Sequence, residues 1–118
     1  MYRLGGGTTD YAVDIYKKAV IDEPYTCYLE PESTLPMMHV DDCLRATHEF
    51  MKIDPEILDK ARPGKRTYNI TAMSFNPSLV TAAIQKHYPD FKVNYKIDPV
   101  RQAIADSWPR RFDDRDAR

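Results

Sequence analysis

The sequence predicts a small α+β lobe, and three observations carry that reading. Three segments place apolar residues at three- and four-residue steps, the spacing of a helix with one buried face. Between them lie short runs rich in aromatic and β-branched residues, of which Phe91 to Ile97 alternates apolar and polar most clearly. Strands this short seldom form a self-sufficient sheet, and their unpaired edges invite association, so the lobe is expected to sit against something larger.

The first helix is introduced by Gly5-Gly6-Gly7-Thr8-Thr9-Asp10-Tyr11. Three glycines let the backbone reach positive φ and approach a ligand closely, because no Cβ intervenes. Thr8 and Thr9 are candidate helix caps, and Asp10 then falls in the first turn, where the dipole favours negative charge. Ala12, Ile15, Tyr16 and Ala19 are the expected apolar face. Such a turn can hold a small polar molecule; it can equally be a Gly-rich connection with an ordinary cap.

Glu23-Pro24 ends that helix, and Tyr25 to Leu29 reads as a strand. After a turn-rich stretch, Met37-Met38-His39-Val40 is bounded like a buried strand. Asp41 or Asp42 is the expected cap of a second helix with Val40, Cys43, Leu44, Thr47, Phe50 and Met51 on one face. Ile53 to Arg66 is the least ordered-looking part, with room for one helical turn at Asp54-Pro55 and a loop at Arg62 to Lys65. Thr67 to Ile70 is a candidate strand. Asn76-Pro77 is an N-cap followed by proline at the first helical position. The helix it starts carries Leu79, Val80, Ala83, Ile84 and His87 on one side and stops by Pro89. Val100 to Pro109 is a short helix or turn ending at Trp108, and a polar helix begins at Asp113 or Asp114.

The totals exclude several functions. At 118 residues the chain is one domain or part of one, and its formal net charge is −1. That balance, with no basic tract, gives no support for nucleic-acid binding. No apolar run approaches the roughly 20 residues of a membrane span. Met1 to Leu4 has neither a signal-peptide pattern nor an Arg- and Ser-rich presequence, so no targeting segment is expected. Cys27 and Cys43 lack zinc spacing and are expected as buried free thiols.

Other apparent motifs dissolve on inspection. His39, Asp41, Asp42 and His48 could suggest a metal site, but a strand-to-helix turn explains the aspartates, and no metal ligand is assigned. His39 is expected half-buried. Tyr88 and Lys92 match Tyr-x-x-x-Lys, yet Pro89 disfavours the helix that such an acid/base pair needs. The three glycines are not a dinucleotide fingerprint, which needs G-x-G-x-x-G between a strand and a helix. Trp108 is a core residue or a pocket wall, and Arg101 is a surface ion-pair residue or a carboxylate fork.

Four blocks in order carry a resemblance: GGGTTDYAVDI at 5–15, YTCYLEPESTLPMMHVDDCLRATHEFM at 25–51, RTYNITAMSF at 66–75 and DPVRQAIADSWP at 98–109, with DDRDAR closing at 113–118. They resemble the L-threonine 3-dehydrogenase family of the extended short-chain dehydrogenase (SDR) type. The likeness is weakest over Ile53 to Lys65. It implies membership of an α/β family whose N-terminal Rossmann domain binds NAD and carries a tyrosine–lysine pair. Residues 1–118 are then the α+β C-terminal substrate-binding lobe, incomplete at both ends and without the Rossmann core. The reaction implied is oxidation of L-threonine to 2-amino-3-oxobutyrate, in an enzyme that is mitochondrial in animals and a homodimer at full length. By the same resemblance Thr8, Thr9 and Asp10 face the substrate's polar groups and Trp108 walls the pocket. No catalytic or cofactor-binding residue is assigned here, and the chain alone is expected neither to hold NAD tightly nor to turn over threonine. Two alternatives are a non-catalytic binding or oligomerisation module derived from that enzyme, and a lobe of a nucleotide-sugar epimerase-like SDR.

Overall fold

The computed structural model describes residues 7–118. The lead at 1–4 and the first two glycines of the opening turn, Gly5 and Gly6, lie outside the described residues. Among the described residues are five α-helices and four three-residue strands: α1 Tyr11–Val20, β1 Tyr25–Cys27, β2 Leu35–Met37, α2 Val40–Met51, α3 Pro55–Ala61, β3 Met73–Phe75, α4 Pro77–Gln85, β4 Val93–Tyr95 and α5 Pro99–Ser107. A 3₁₀ turn, Arg115–Ala117, follows. The chain divides into two compact units: residues up to Leu35 with Ser74–Arg110, and Pro36–Met73 with Arg111–Arg118. β2 and β3, where the chain leaves the first unit and returns, form a two-stranded sheet.

The first unit has a conventional interior. Tyr11, Ile15 and Ala19, spaced four apart, form one stripe of α1 and are buried. That helix packs on α4 and β1. The stripe is rotated from the expected one, since Tyr16 is about half exposed. β1 and β4 run parallel with Tyr25 opposite Val93, Thr26 opposite Asn94 and Cys27 opposite Tyr95. Tyr25 and Cys27 point inward and Thr26 outward, the alternation of a strand with one covered face. Lys96 N and Asp98 N donate to Cys27 O and Tyr28 O at 2.9 Å, which carries the pairing past β4. Val80 and Ile84 of α4, with Leu29, Leu35, Phe91 and Ala105, complete the core.

Its helix ends follow from the sequence. Asn76 Oδ1 accepts from Leu79 N at 2.9 Å with Pro77 at the first position, as the Asn-Pro pair predicts. Asp98 Oδ1 likewise accepts from Val100 N and Arg101 N at the start of α5. Beyond α1, Asp22 has φ 57. Asp22 N donates to Ala19 O and Glu23 N to Lys18 O, the paired bonds of a Schellman end with aspartate where glycine is commonest.

The second unit is of another kind. None of its described residues is buried. α2 carries an apolar stripe, yet Val40, Leu44 and Met51 are each more than three-fifths exposed. Phe50 and Tyr68 meet edge to face at 5.7 Å, and the Arg62 guanidinium lies 5.1 Å from the Tyr68 ring centroid. Arg66 grips Asp59 through two bonds of 2.8 and 2.7 Å. Asp114 accepts from Arg118 Nε at 2.9 Å.

Several expectations need correction. His39, not Asp41 or Asp42, caps α2, its Nδ1 accepting from Asp41 N at 3.2 Å. It is exposed rather than half-buried, and β2 ends before it. Cys27 is buried as expected, but Cys43 is exposed, since the α2 stripe has no cover among the described residues. Ile53 to Arg66 contains α3, a helix of seven residues capped by Asp54, where one turn was expected. Thr67 to Ile70 is not a strand; the pairing strand is β3, at Met73–Phe75. The tail makes only a 3₁₀ turn. Tyr88 lies beyond the end of α4 and Lys92 precedes β4, so no helix joins them.

Candidate functional site

The opening turn is built from its backbone outward. Gly7 O accepts from Asp10 N at 3.3 Å, and Gly7 N donates to Asp10 Oδ2 at 3.0 Å, closing a tight loop over Thr8 and Thr9. A Cβ at Gly7 would stand 2.9 Å from Asp10 Oδ1, which is why glycine suits this position. Asp10 occupies the N-cap position of α1 rather than its first turn, and its carboxylate makes no cap bond to the helix. The predicted threonine caps are not formed either: the first amides are met by backbone, with Ala12 N on Thr9 O and Val13 N on Asp10 O. Thr8 is buried, and Thr9 and Asp10 are half-buried.

Tyr28 fixes this turn from the strand side. Its hydroxyl donates to Gly7 O and accepts from Tyr11 N, both at 2.9 Å. Burial pushes its phenol pKa up, with Asp10 acting in the same direction and Arg101 against it. The Arg101 guanidinium lies over the Tyr28 ring, 4.2 Å from its centroid, and its Nε is 3.7 Å from Asp98 Oδ2. Tyr28 lies in the run the sequence reads as a strand, but nothing in the sequence ties it to Tyr11, 17 residues earlier.

Trp108 closes α5, its N–H donating to Ala105 O at 3.1 Å, and its side chain is under half exposed. It lines an open cleft of about 370 Å³ with Glu30, Glu32, Ser33, Thr34, Asp106 and Arg110 among the other walls. Gln102 organises this cleft. Nearly fully buried, it accepts from Glu30 N at 2.9 Å and donates to Ser33 Oγ at 2.7 Å and Asp106 Oδ1 at 2.9 Å. Sequence reasoning missed Gln102, for a glutamine inside an amphipathic helix carries no signal of burial. The structure therefore joins Thr8, Thr9 and Asp10 in one turn, while Trp108 stands in a cleft whose lining residues do not include them.

The described residues do not fit a dinucleotide. The carboxylate of Asp10 lies against Gly7, where a phosphate would have to approach the backbone, and a negative charge there repels it. The only other described glycine, Gly64 at φ 73, is in the loop after α3 and opens no helix. No hydride step is assigned to these residues. What the turn offers is an anchored carboxylate, suited to an ammonium, and the tyrosine that pins the turn also carries a guanidinium over its ring.

No protein-family model matches the chain. It is 54% identical over 114 residues to mitochondrial L-threonine 3-dehydrogenase of Bos taurus, a match covering 97% of this chain and 29% of that protein. An uncharacterized epimerase/dehydratase of Staphylococcus haemolyticus is 50% identical over 109 residues, covering 92% of this chain and 33% of its own length. Among solved structures, a GalE-like L-threonine dehydrogenase from Cupriavidus necator in a holo form superposes with a TM-score of 0.87 at 46% identity. That match covers 98% of this chain and 36% of the other. The chain thus resembles L-threonine 3-dehydrogenase of the epimerase/dehydratase type over a C-terminal portion, and spans about a third of the length of these relatives.

Proposed function

We propose that residues 1–118 form the substrate-gripping lobe of an NAD-dependent L-threonine 3-dehydrogenase, with the redox half supplied by other chain. The observation that carries this reading is the Asp10 carboxylate. It is held by Gly7 N at 3.0 Å in a turn pinned by Tyr28, within a block that the resemblance matches to substrate-facing positions. A zwitterionic amino acid needs a carboxylate beside its ammonium, donors near its own carboxylate and an apolar face for its methyl. Asp10 meets the first need and the Thr8 and Thr9 hydroxyls contribute to the second. The resemblance gives Trp108 the apolar wall, although the cleft it lines does not include the turn. NAD, when bound to the whole enzyme, accepts the hydride; this chain positions the amino acid and excludes water. On this reading the whole enzyme is a mitochondrial homodimer, and the isolated chain is inactive. Asp10→Ala should weaken L-threonine binding at least tenfold, and unchanged affinity removes Asp10 from the site. Threonine-dependent NADH formation by the pure chain would overturn the assignment of redox chemistry to other chain.

A second reading, a non-catalytic module that docks on a full-length subunit, is favoured by the second unit, whose apolar α2 stripe has no cover among the described residues. Co-purification with a full-length homologue at a fixed ratio would support it. A nucleotide-sugar lobe is disfavoured, since Asp10 beside Gly7 repels a pyrophosphate.

A further inference from the structure

We propose that Arg101 is the carboxylate-binding residue of the same site, so that the opening turn and α5 together seat an α-amino acid by both of its charges. The inference rests on the assignment of Asp10 above and adds the residue that selects for a free carboxylate.

Three observations place Arg101 in the site. Its guanidinium stacks on Tyr28, 4.2 Å from the ring centroid, and the hydroxyl of that ring is bonded at 2.9 Å to both Gly7 O and Tyr11 N. The cation is therefore indexed to the turn through one rigid side chain. Next, Asp10 and Arg101 are not paired with each other. Asp10 Oδ2 is taken by Gly7 N, and among the described residues the terminal nitrogens of Arg101 have no hydrogen-bond partner. Last, the one carboxylate ion-paired with Arg101 among the described residues meets it at Nε alone. Asp98 Oδ1 caps α5 through Val100 N and Arg101 N, leaving Oδ2 at 3.7 Å from Nε, too long for a fork-to-fork pair. A plain surface ion pair would turn the guanidinium fork onto Asp98. Instead the guanidinium carbon sits over the ring, and its terminal N–H groups remain for a ligand.

A carboxylate in the turn that the Tyr28 hydroxyl holds, and a guanidinium over the ring of the same residue, match in charge an ammonium and a carboxylate joined by a single carbon. Arg101 gives the bidentate, always-charged partner that hydroxyls alone cannot, and a ligand lacking the carboxylate forfeits it. The step is binding only; no bond is made or broken by Arg101.

The test is a nitrogen-15 NMR titration of the 118-residue chain with L-threonine and with L-threoninamide, following the Thr8 to Asp10 amides and the Arg101 Nε–H. L-Threonine is expected to shift both sets, and threoninamide to bind about tenfold or more weakly without moving the Arg101 signal. Arg101→Gln should bring L-threonine down to the affinity of the amide, and Arg101→Lys should restore part of the difference. Retained protection of the Tyr11 amide certifies the fold of each variant. If Arg101→Gln does not fold, the two ligands compared on the unaltered chain decide the matter. Equal binding of both ligands, with the turn amides responding and Arg101 silent, overturns the role of Arg101 and leaves that of Asp10 standing. No response at either place overturns both.

Discussion

In the first unit α1 packs on α4, and Tyr11, Ile15, Leu29 and Phe91 are buried; in the second, α2 and α3 bury nothing among the described residues. Both sets include helices with apolar residues at helical spacing and side-chain N-caps, so local sequence chemistry does not separate them. What separates them is whether residues elsewhere in the same chain arrive to cover the stripe. The ends of the first unit's interior are supplied by distant segments, while the second is held by exposed pairs such as Arg66–Asp59 and by the Phe50–Tyr68 contact. Such pairs are worth little each in water, so the second unit is expected to open first.

The contrast is most directly broken by equal truncations in the two units. Ile15→Ala should destabilise the first unit by about 2–5 kcal/mol, the cost of a core cavity, read by urea unfolding of Trp108 fluorescence. Ile57→Ala, at a residue three-fifths exposed, should change stability by no more than about 0.5 kcal/mol. Comparable losses would mean that the second unit is as well packed as the first. Gln102→Ala should cost about 1–3 kcal/mol, because Glu30 N then loses its buried partner; hydrogen exchange at Glu30 reads this directly.

Acidity and alkalinity should sharpen the contrast in opposite senses. Burial raises the Cys27 thiol above its ordinary 9.0, and also raises the Tyr11 and Tyr25 phenols above 10.0. These groups are neutral when protonated, so their contribution is complete below pH 9 and is lost as pH rises through the raised values. In the second unit, the hydrogen bond from Arg115 lowers Asp113 from 3.8 to about 2, and Arg66 lowers Asp59. That contribution is present above pH 4 and is lost as pH falls toward 2. Amide exchange should therefore quicken in α1 and β1 at high pH and in α3 at low pH, and the reverse pattern would refute the assignment. The smallest expected effect is a gain. Asp22→Gly should stabilise the first unit by about 0.5–1 kcal/mol, since Asp22 holds the left-handed position at φ 57 that glycine takes without strain. The thermal midpoint checks it.

How much of this was legible depended on whether the cause was local. Asn76-Pro77 and the strand around Val93 to Tyr95 could be read because their signals lie within a few residues. β3 was misplaced because two short β-rich runs compete and only pairing with β2 chooses between them. His39 displaced the aspartates as a cap because imidazole Nδ1 can accept an amide just as a carboxylate does. In the site, the turn was visible as glycine and hydroxyl chemistry, but Tyr28, Gln102 and the stacking of Arg101 were not. Each joins positions far apart in sequence, and residue type alone announces none of them.

The parallel pair of β1 with β4 has a kinetic consequence. Tyr25 cannot meet Val93 until the segment between β1 and β4 has been made, so the sheet that α1 packs on is completed only after that segment. Closing that span costs loop entropy before the pairing returns anything, the condition under which non-local contacts form slowly. Shortening the stretch between the two strands would hasten its assembly only modestly, because loop entropy grows with the logarithm of length.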